Sequence, residues 1–192
     1  MKSFEQVLNE VGGTGVVGES KTRFIYQELK ETFNLKGHTA EIGVYEGRTS
    51  KFIHNFCPHK THYCYDTFSG VALSNPQIDK HKNGDFACGL DVVKSIVGTE
   101  NVVYKVGIFP NTFTEKNEIF SFVHSDTDTY AGTKATLDLF SIRVIKHGKI
   151  FFDDYKWEAC PGVEKAVHEF LNRNKNFNFV TFPHQCVLTK IN

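Results

Sequence analysis

The chain has 192 residues, 22 acidic and 22 basic, with a pI near 7.1, and it is expected to form a single domain with its own core. The zero net charge gives no electrostatic basis for binding nucleic acid or an anionic membrane surface. The five cysteines are dispersed without a C-x-x-C spacing, which argues against a disulfide framework and for a reducing compartment. Because no apolar stretch approaches membrane-spanning length, we expect a cytoplasmic protein.

The first 36 residues are expected to form two helices joined by a glycine-rich loop. Apolar residues recur at helical spacing in 3–11 and in 19–33, and Ser3 is suited to cap the first helix. Residues 12–18 contain G-x-G-x-x-G, which in dinucleotide-binding proteins follows a strand and opens a helix. Since a helix precedes the motif in this chain, we interpret it as a flexible loop, or alternatively as a mobile lid over a ligand cleft.

Residues 37–192 are expected to form the core of the domain, and they begin with a candidate nucleotide-binding loop. A strand at 38–43 leads through a turn at 44–50 into a helix at 50–56. Gly43 and Gly47 would let the backbone approach a ligand closely, although a tight turn without a ligand is the alternative. The next strand, 61–66, ends in Asp66 about 20 residues after the glycine turn, a distance that suits binding of a ribose diol.

The rest of the chain alternates between helical and extended patterns. Residues 67–84 have little periodicity and predict a long surface excursion. Helices are predicted at 85–97, at 130–146 with a break at Gly148, and from Pro161 onward; strands are predicted at 101–106, 119–126, 149–153, 177–182 and 186–191. This order predicts a seven-stranded, mostly parallel sheet with helices on both faces and an antiparallel edge at its C-terminal end.

Two of these strands end in carboxylates. Asp126 and Asp128 follow one apolar run, and Asp153 and Asp154 follow another. The carboxyl ends of parallel strands meet at one edge of a sheet, where four carboxylates would repel one another without a cation or a shared proton. An all-oxygen ligand set selects Mg²⁺, Ca²⁺ or Mn²⁺ rather than Zn²⁺. The alternative for the Asp126–Asp128 pair is a helix cap before Tyr130.

These residues together resemble a known family, the class I S-adenosylmethionine-dependent O-methyltransferases of the macrocin O-methyltransferase type. The resemblance covers residues 40 to 190 in the order of the family. It is carried by AEIGVYEGRTS at 40–50, YDTFSG at 65–70, GDF at 84–86, FVHSDTDTYAGTK at 122–134, FFDDY at 151–155 and PGVEKA at 161–166. It implies a Rossmann-like fold and metal-assisted methylation of a hydroxyl on a sugar or another small polyhydroxylated molecule.

The resemblance also implies a role for each matching residue. Asp126, Asp153 and Asp154 would hold Mg²⁺ or Mn²⁺, and Asp128 would be the general base. The cofactor, S-adenosyl-L-methionine, would be bound through its methionine part, its ribose and its adenine. The residues implied are Glu41, Gly43, Gly47, Thr49 and Ser50 for the methionine part, Asp66 for the ribose, the Gly107 turn for the adenine side, and Tyr45, Thr67, Phe68 and Asp126 as further contacts.

Several alternatives remain open from the sequence. His124 is either a second candidate base or a hydrogen-bonded core residue, and Tyr130 and Trp157 either wall the acceptor site or pack. A catechol-type O-methyltransferase also uses a divalent metal in methyl transfer, but it has Asp-Asn where this chain has Asp153-Asp154. A nicotinamide-dependent oxidoreductase and a non-catalytic nucleotide-binding protein are alternatives from other classes. An edge strand near 177–191 is able to pair between subunits of a homo-oligomer.

Overall fold

In the computed structural model, which describes residues 1–192, one seven-stranded sheet is covered by helices. The helices are α1 (Phe4–Val11), α2 (Glu19–Thr32), α3 (Arg48–Phe56), α4 (Leu90–Val97), α5 (Tyr130–Phe140) and α6 (Pro161–Arg173). The strands are β1 (His38–Ile42), β2 (His62–Asp66), β3 (Val102–Val106), β4 (Phe120–Ser125), β5 (Val144–Asp153), β6 (Phe177–Phe182) and β7 (Gln185–Lys190). No helix is both long enough and apolar enough to cross a membrane.

The strand order, β3-β2-β1-β4-β5-β7-β6, confirms the predicted sheet. Strands β1 to β5 pair in parallel, whereas β7 pairs antiparallel with both β5 and β6. The chain runs outward from β1 through β2 to β3 and then returns to β4 on the other side of β1. The direction of winding therefore reverses between β1 and β4, and ligands bind at such a reversal, outside the carboxyl ends of the strands.

The two faces of the sheet bury separate apolar clusters. One face packs against α5 and α6, which bury residues such as Leu137, Phe140 and Val167. The other packs against α1, α2 and α3, which bury residues such as Ile25 and Phe52. Ser3 caps α1 as predicted, because its hydroxyl accepts the N–H of Gln6 and the Gln6 side chain accepts the N–H of Ser3. The two layers hold the carboxyl ends of the central strands in fixed positions.

Two predicted helices were wrong in part. The helix expected at 85–97 begins only at Leu90, because the backbone before it bonds to Val71 instead: the Gly84 N–H donates to the Val71 carbonyl and the Val71 N–H donates to the Asp85 carbonyl. The helix expected at 130–146 ends at Phe140.

The expectation that Gly148 ends this helix is also wrong. The β-branched residues Val144 and Ile145 belong to β5, and Val144 lies opposite Phe120 of β4. Gly148 is an interior residue of β5, beside His147 with φ of 64°, where the register between β4 and β5 shifts. Strand β5 therefore starts five residues earlier than predicted, although its carboxyl end is the one expected.

Candidate active site

A cavity of about 340 Å³ opens at the carboxyl ends of β1, β2, β4 and β5. Its floor comes from the turns that follow these strands. Its cover comes from Val16 and Val17, which belong to a 3-10 turn at Gly15–Val17 in the glycine-rich segment, and from residues 70–73, His81 and Phe86 of the excursion. A cavity of this size lies within the range of small-molecule sites in proteins. All four predicted acidic residues line it together with Asp66.

The acidic residues converge because the backbone turns sharply after each strand. Carboxylate oxygens of Asp126, Asp128 and Asp154 all lie within 4.8 Å of one another. Asp128 and Asp154 have φ values of 58° and 57°, in the left-handed region that non-glycine residues rarely adopt. A regular strand would direct Asp153 and Asp154 to opposite faces, whereas the left-handed residue after β5 directs the Asp154 side chain toward Asp126.

Burial and mutual repulsion disfavour the charged form of these carboxyl groups. Burial raises the pKa of Asp126 well above its usual value, and the negative charges of Asp153, Asp154 and Asp128 raise it further. Burial, followed by Asp154, likewise raises the pKa of Asp128. The pKa of Asp153 is raised by burial and by Asp154, against an opposing effect of Lys21. Bound protons or a nearby cation would relieve this repulsion.

The side chain of Lys21, in α2, provides one cation for this cluster. Its Nζ lies 2.8 Å from Oδ1 of Asp153 and 2.8 Å from Oδ1 of Asp154. Burial alone would lower the pKa of Lys21, but the two carboxylates more than offset this and raise it. The ammonium thus marks a position where Asp153 and Asp154 hold one positive charge between them. Asp153 keeps 2% of its side-chain surface exposed, and its other close contact is the backbone N–H of Asp154.

The donor set fits a hard divalent cation. The predicted ligands Asp126, Asp153 and Asp154 offer only carboxylate oxygens, which suit Mg²⁺ or Mn²⁺. The structure brings Asp126 and Asp154 together with Asp128, rather than Asp153, as the third carboxylate within 4.8 Å. The raised pKa values of Asp126 and Asp153 and the contact of Lys21 with Asp153 are consistent with a site that favours positive charge. A bound cation there would supply Lewis-acid polarisation of a ligated oxygen. Binding requires the ammonium of Lys21 to leave the two oxygens that it occupies.

Asp66 lies at the end of β2, on the part of the cavity formed by the β1 and β2 turns. Its Oδ2 accepts the backbone N–H groups of Val44 (2.6 Å) and Tyr45 (3.0 Å), and its Oδ1 accepts that of Phe68 (2.7 Å). The Thr67 hydroxyl lies 3.5 Å from Oδ1 but donates its one proton to the Gly70 carbonyl at 2.7 Å. The three backbone bonds therefore fix the carboxylate and leave one of its about four acceptor positions for a ligand hydroxyl. Tyr45, Thr67 and Gly107 line the same part of the cavity.

The two glycines of the β1–α3 turn approach protein atoms rather than open space. A Cβ on Gly43, which has φ of 82°, would collide with the backbone carbonyl of Asp126. This contact locks the β1 turn against the β4 turn and leaves Gly43 on the cavity wall. A Cβ on Gly47 would lie 2.6 Å from Val97 and 3.0 Å from Val93, both in α4. Gly47 therefore allows helix packing and does not line the cavity.

Glu41 belongs to a buried polar network behind the cavity. Its carboxylate accepts the Ser50 hydroxyl and lies 2.9 Å from Nδ1 of His124, and Ser50 is 3.1 Å from Nε2 of His62. His124 is fully buried, as the core interpretation requires, and does not line the cavity. Glu41 and Thr49 line only a small adjoining recess of about 20 Å³, which also contacts Asp126 and Val17.

The predicted cofactor residues therefore fall into three groups. Gly43, Tyr45, Asp66, Thr67, Gly107 and Asp126 line the main cavity, and Glu41 and Thr49 line the adjoining recess. Gly47, Ser50 and Phe68 line neither. Phe68 packs in the cluster under α4, and Ser50 is fully buried. Trp157 lines the cavity, whereas the Tyr130 hydroxyl donates to Glu169 away from it.

Sequence reasoning missed three side chains at the acidic cluster. Lys21, His81 and Cys160 come from segments far apart in the sequence. The Cys160 thiol lies 3.6 Å from Oδ1 of Asp128 and 3.7 Å from Oδ2 of Asp154. Burial and the nearby carboxylates raise the pKa of this thiol, so it stays protonated and donates to them. No local motif marks these residues, because only tertiary packing brings them to the strand ends.

The comparisons with known proteins agree with this architecture. No protein-family model matches the sequence, and no curated protein matches it. Solved structures do match. The O-methyltransferase NovP superposes with a TM-score of 0.78 at 20% identity, over 94% of this chain and 83% of NovP. The calicheamicin methyltransferase CalS11 gives 0.73 at 16% identity, over 98% and 94% of the two chains.

A third structure contains ligands. MycE, a methyltransferase of the mycinamycin biosynthetic pathway solved with Mg, SAH and mycinamycin VI, gives a TM-score of 0.65 at 13% identity, over 97% of this chain and 53% of MycE. At such identities the likeness defines the fold. The chain has the Rossmann-like fold of class I methyltransferases, with the mostly parallel seven-stranded sheet and antiparallel edge that the sequence predicted.

Proposed function

We propose that this protein is an S-adenosylmethionine-dependent, divalent-metal-assisted O-methyltransferase that acts on a hydroxyl of a sugar or another small polyhydroxylated molecule. One observation carries the proposal. A single cavity joins a fixed carboxylate at the end of β2, Asp66, to the acidic cluster at the ends of β4 and β5. The first suits a nucleoside ribose, and the second suits a cation and the oxygen to be methylated.

S-adenosyl-L-methionine, when bound, supplies an electrophilic methyl group on a sulfonium. Asp66 accepts a ribose hydroxyl while the N–H groups of Val44, Tyr45 and Phe68 hold its carboxylate in place. The Gly107 turn borders the adenine side. The methionine part would lie in the main cavity beside Gly43, next to the small recess that Glu41 and Thr49 line. Gly47, Ser50 and Phe68 act behind the wall, where they keep the β1 and β2 turns in position.

The acidic cluster divides into cation ligands and a base. Asp126, Asp153 and Asp154 hold the cation, and the ammonium of Lys21 between the latter two supports this assignment. A cation bound there would supply Lewis-acid polarisation of the acceptor oxygen. Asp128 would accept the proton of the acceptor hydroxyl. Burial and the neighbouring Asp154 raise the pKa of Asp128, which makes its carboxylate a stronger proton acceptor.

The acceptor class rests on the shape of the site and on the structural neighbours. The cluster presents several carboxylate oxygens to one small volume, which suits an acceptor with adjacent hydroxyl donors. Trp157, with 44% of its surface exposed, offers an apolar face at the same rim. CalS11 is a calicheamicin methyltransferase, and MycE is a methyltransferase of the mycinamycin biosynthetic pathway.

The test is transfer of labelled methyl groups from S-adenosylmethionine to a panel of sugars, vicinal diols and catechols, with Mg²⁺ or with a chelator. We expect transfer to a sugar or aliphatic diol, loss of transfer with the chelator, and loss in Asp128→Asn. Asp138→Asn, an exposed carboxylate on α5, is the matched control and should keep full activity. Transfer that survives both the chelator and Asp128→Asn would contradict the proposed mechanism, and a preference for catechols would favour the catechol-type alternative.

A further inference from the structure

Beside the all-oxygen cluster lies a second group of side chains with different chemistry. Ligand atoms of His81, Asp128 and Cys160 all lie within 4.8 Å of one another. They come from three separate parts of the chain: the excursion, the turn after β4, and the N-cap position of α6. Together they offer one imidazole nitrogen, one carboxylate oxygen and one sulfur.

The excursion that carries His81 is fixed to the rest of the site. Asp79, which is 4% exposed, accepts the N–H of Tyr130 at the start of α5 (2.9 Å) and the N–H of Asn75 (2.9 Å). The Ser74 hydroxyl donates to the carbonyl of His81. The ring of Phe86 packs edge-on against the His81 ring at 5.0 Å. The imidazole therefore lies next to Asp128 with Phe86 against its ring and Oδ2 of Asp85 3.7 Å from its Nδ1.

Cys160 is fixed from the other side. Its backbone N–H donates to the carbonyl of Trp157 (3.0 Å), and its own carbonyl accepts the N–H of Val163 (3.1 Å). Its side chain is fully buried. Its sulfur lies 3.6 Å from Oδ1 of Asp128. In tetrahedral coordination, a Zn–S bond of about 2.3 Å and a Zn–O bond of about 2.0 Å place the two donor atoms about 3.5 Å apart.

We propose that His81, Asp128 and Cys160 form a second cation site, which binds Zn²⁺ or another borderline-soft divalent cation. The mixed nitrogen, oxygen and sulfur donors select such an ion over Mg²⁺, which prefers oxygen alone. Binding forms a metal–sulfur bond as the thiol proton leaves to solvent. His81 and Asp128 line the cavity, so water from the cavity would be available as a further ligand.

The two cation sites adjoin, because Asp128 lies in both clusters and the Cys160 sulfur is 3.7 Å from Oδ2 of Asp154. Lys21 contacts the other oxygen of Asp154, Oδ1, together with Asp153, and neither His81 nor Cys160 contacts Asp153 or Lys21. If Asp128 is the base of the proposed function, Zn²⁺ at the second site occupies it and inhibits methyl transfer. This consequence rests on the proposed function, but binding of Zn²⁺ does not.

Binding is tested directly on the full chain, stripped of metal with a chelator that is then removed. Co²⁺ is titrated first, because coordination by thiolate produces an intense charge-transfer absorption in the near ultraviolet. Zn²⁺ is then titrated against a chromophoric chelator. With excess Mg²⁺ present to fill the all-oxygen site, we expect a thiolate band with Co²⁺ that reaches its full intensity with one bound ion and is lost when Zn²⁺ displaces Co²⁺.

The variants are Cys160→Ser and His81→Asn, with Cys88→Ser and His59→Asn as controls outside the site. Cys160→Ser should abolish the thiolate band, and each test variant should weaken Zn²⁺ binding at least tenfold, while the controls match wild type. His81 keeps 23% of its side-chain surface exposed, so its variant should fold even if Cys160→Ser does not.

Asp153→Asn separates the two proposals. It should keep the Co²⁺ band, since Asp153 belongs only to the all-oxygen site. A wild-type protein without a thiolate band, or a His81→Asn variant with unchanged Zn²⁺ affinity, would overturn the second site. Neither result tests the methyltransferase proposal, which is tested by the methyl-transfer assay. If that assay fails, the Zn²⁺ titration still tests the second cation site.

Discussion

Replacement of Lys21 by methionine tests the arrangement of charge in the acidic cluster. Lys21 Nζ contacts Oδ1 of both Asp153 and Asp154 at 2.8 Å, and Asp153 is almost completely buried. Removal of one partner from a buried ion pair costs about 3–5 kcal/mol. Lys21 keeps 22% of its side-chain surface exposed, and Asp153 is able to take up a proton, so we expect about 3 kcal/mol of lost stability in metal-free protein.

The same substitution should strengthen metal binding. In wild type the ammonium must leave both carboxylates before a cation binds there. The Lys21 ammonium and the metal compete for the same two carboxylates. Loss of the ammonium therefore destabilises only the metal-free protein, and the free energy of metal binding becomes more favourable by the same amount. A coupling of about 3 kcal/mol corresponds to roughly 100-fold in Kd. We therefore expect Lys21→Met to bind Mg²⁺ ten- to a hundredfold more tightly than wild type.

Two measurements check this prediction. Thermal or urea unfolding in chelator gives the loss of stability, and calorimetric titration with Mg²⁺ gives the affinity. Lys30→Met is the matched control, because Lys30 lies in the same helix with its side chain exposed. If Lys21→Met binds Mg²⁺ no more tightly than the control, the cation does not bind between Asp153 and Asp154, and the ligand assignment is wrong.

Three further predictions follow from the site. Asp128→Asn should lose turnover but keep Mg²⁺ affinity within about threefold, whereas Asp153→Asn should weaken Mg²⁺ binding at least tenfold by calorimetry; the reverse pattern would make Asp128 a ligand. The pKa values of Asp126, Asp128 and Asp153 are raised above the unfolded value of 3.8. Between 3.8 and the raised values the folded protein holds more protons than the unfolded chain, so the metal-free form loses stability as pH rises. The gain in Tm from Mg²⁺, which replaces those protons, should therefore increase as pH rises above 3.8, and a constant gain would contradict the raised pKa values. Gly43→Ala should lose about 3 kcal/mol in urea unfolding, from a left-handed φ and a collision with the Asp126 carbonyl; Gly89→Ala, with open space and an ordinary φ, should lose no more than about 1 kcal/mol, and equal losses would show that the two turns are not locked.

The sequence predicted the sheet and the carboxyl ends of its central strands because these depend on local patterns. Continuous apolar runs that stop at Asp66, Asp126 and Asp153 mark buried strands and their ends directly. The start of β5 escaped prediction because Val144 and Ile145 fit either a helix face or a strand. The pairing of Val144 with Phe120 decides the matter, and that pairing is tertiary.

The candidate site was predictable in its carboxylates but not in their surroundings. Acidic residues at strand ends are visible in the sequence, and topology places the strand ends together. The convergence of Asp154 with the other acids depends on its left-handed backbone, which no local sequence pattern marks. Lys21 approaches from α2 and His81 from an aperiodic excursion, and no spacing rule relates such segments to the sheet. Gly43 and Gly47 were expected to approach a ligand. In the structure, glycine is required at both positions because protein atoms pack closely against them.

The most direct test of the proposed function is calorimetric titration of S-adenosylhomocysteine into the protein, with Mg²⁺ and with chelator. We predict micromolar binding in at least one condition, weakened at least tenfold by Asp66→Asn, since the Asp66 carboxylate faces the cavity as the ribose acceptor. An unchanged affinity in Asp66→Asn would show that the ribose does not bind at Asp66. Absence of binding in both conditions would contradict the assignment of this cavity to S-adenosylmethionine.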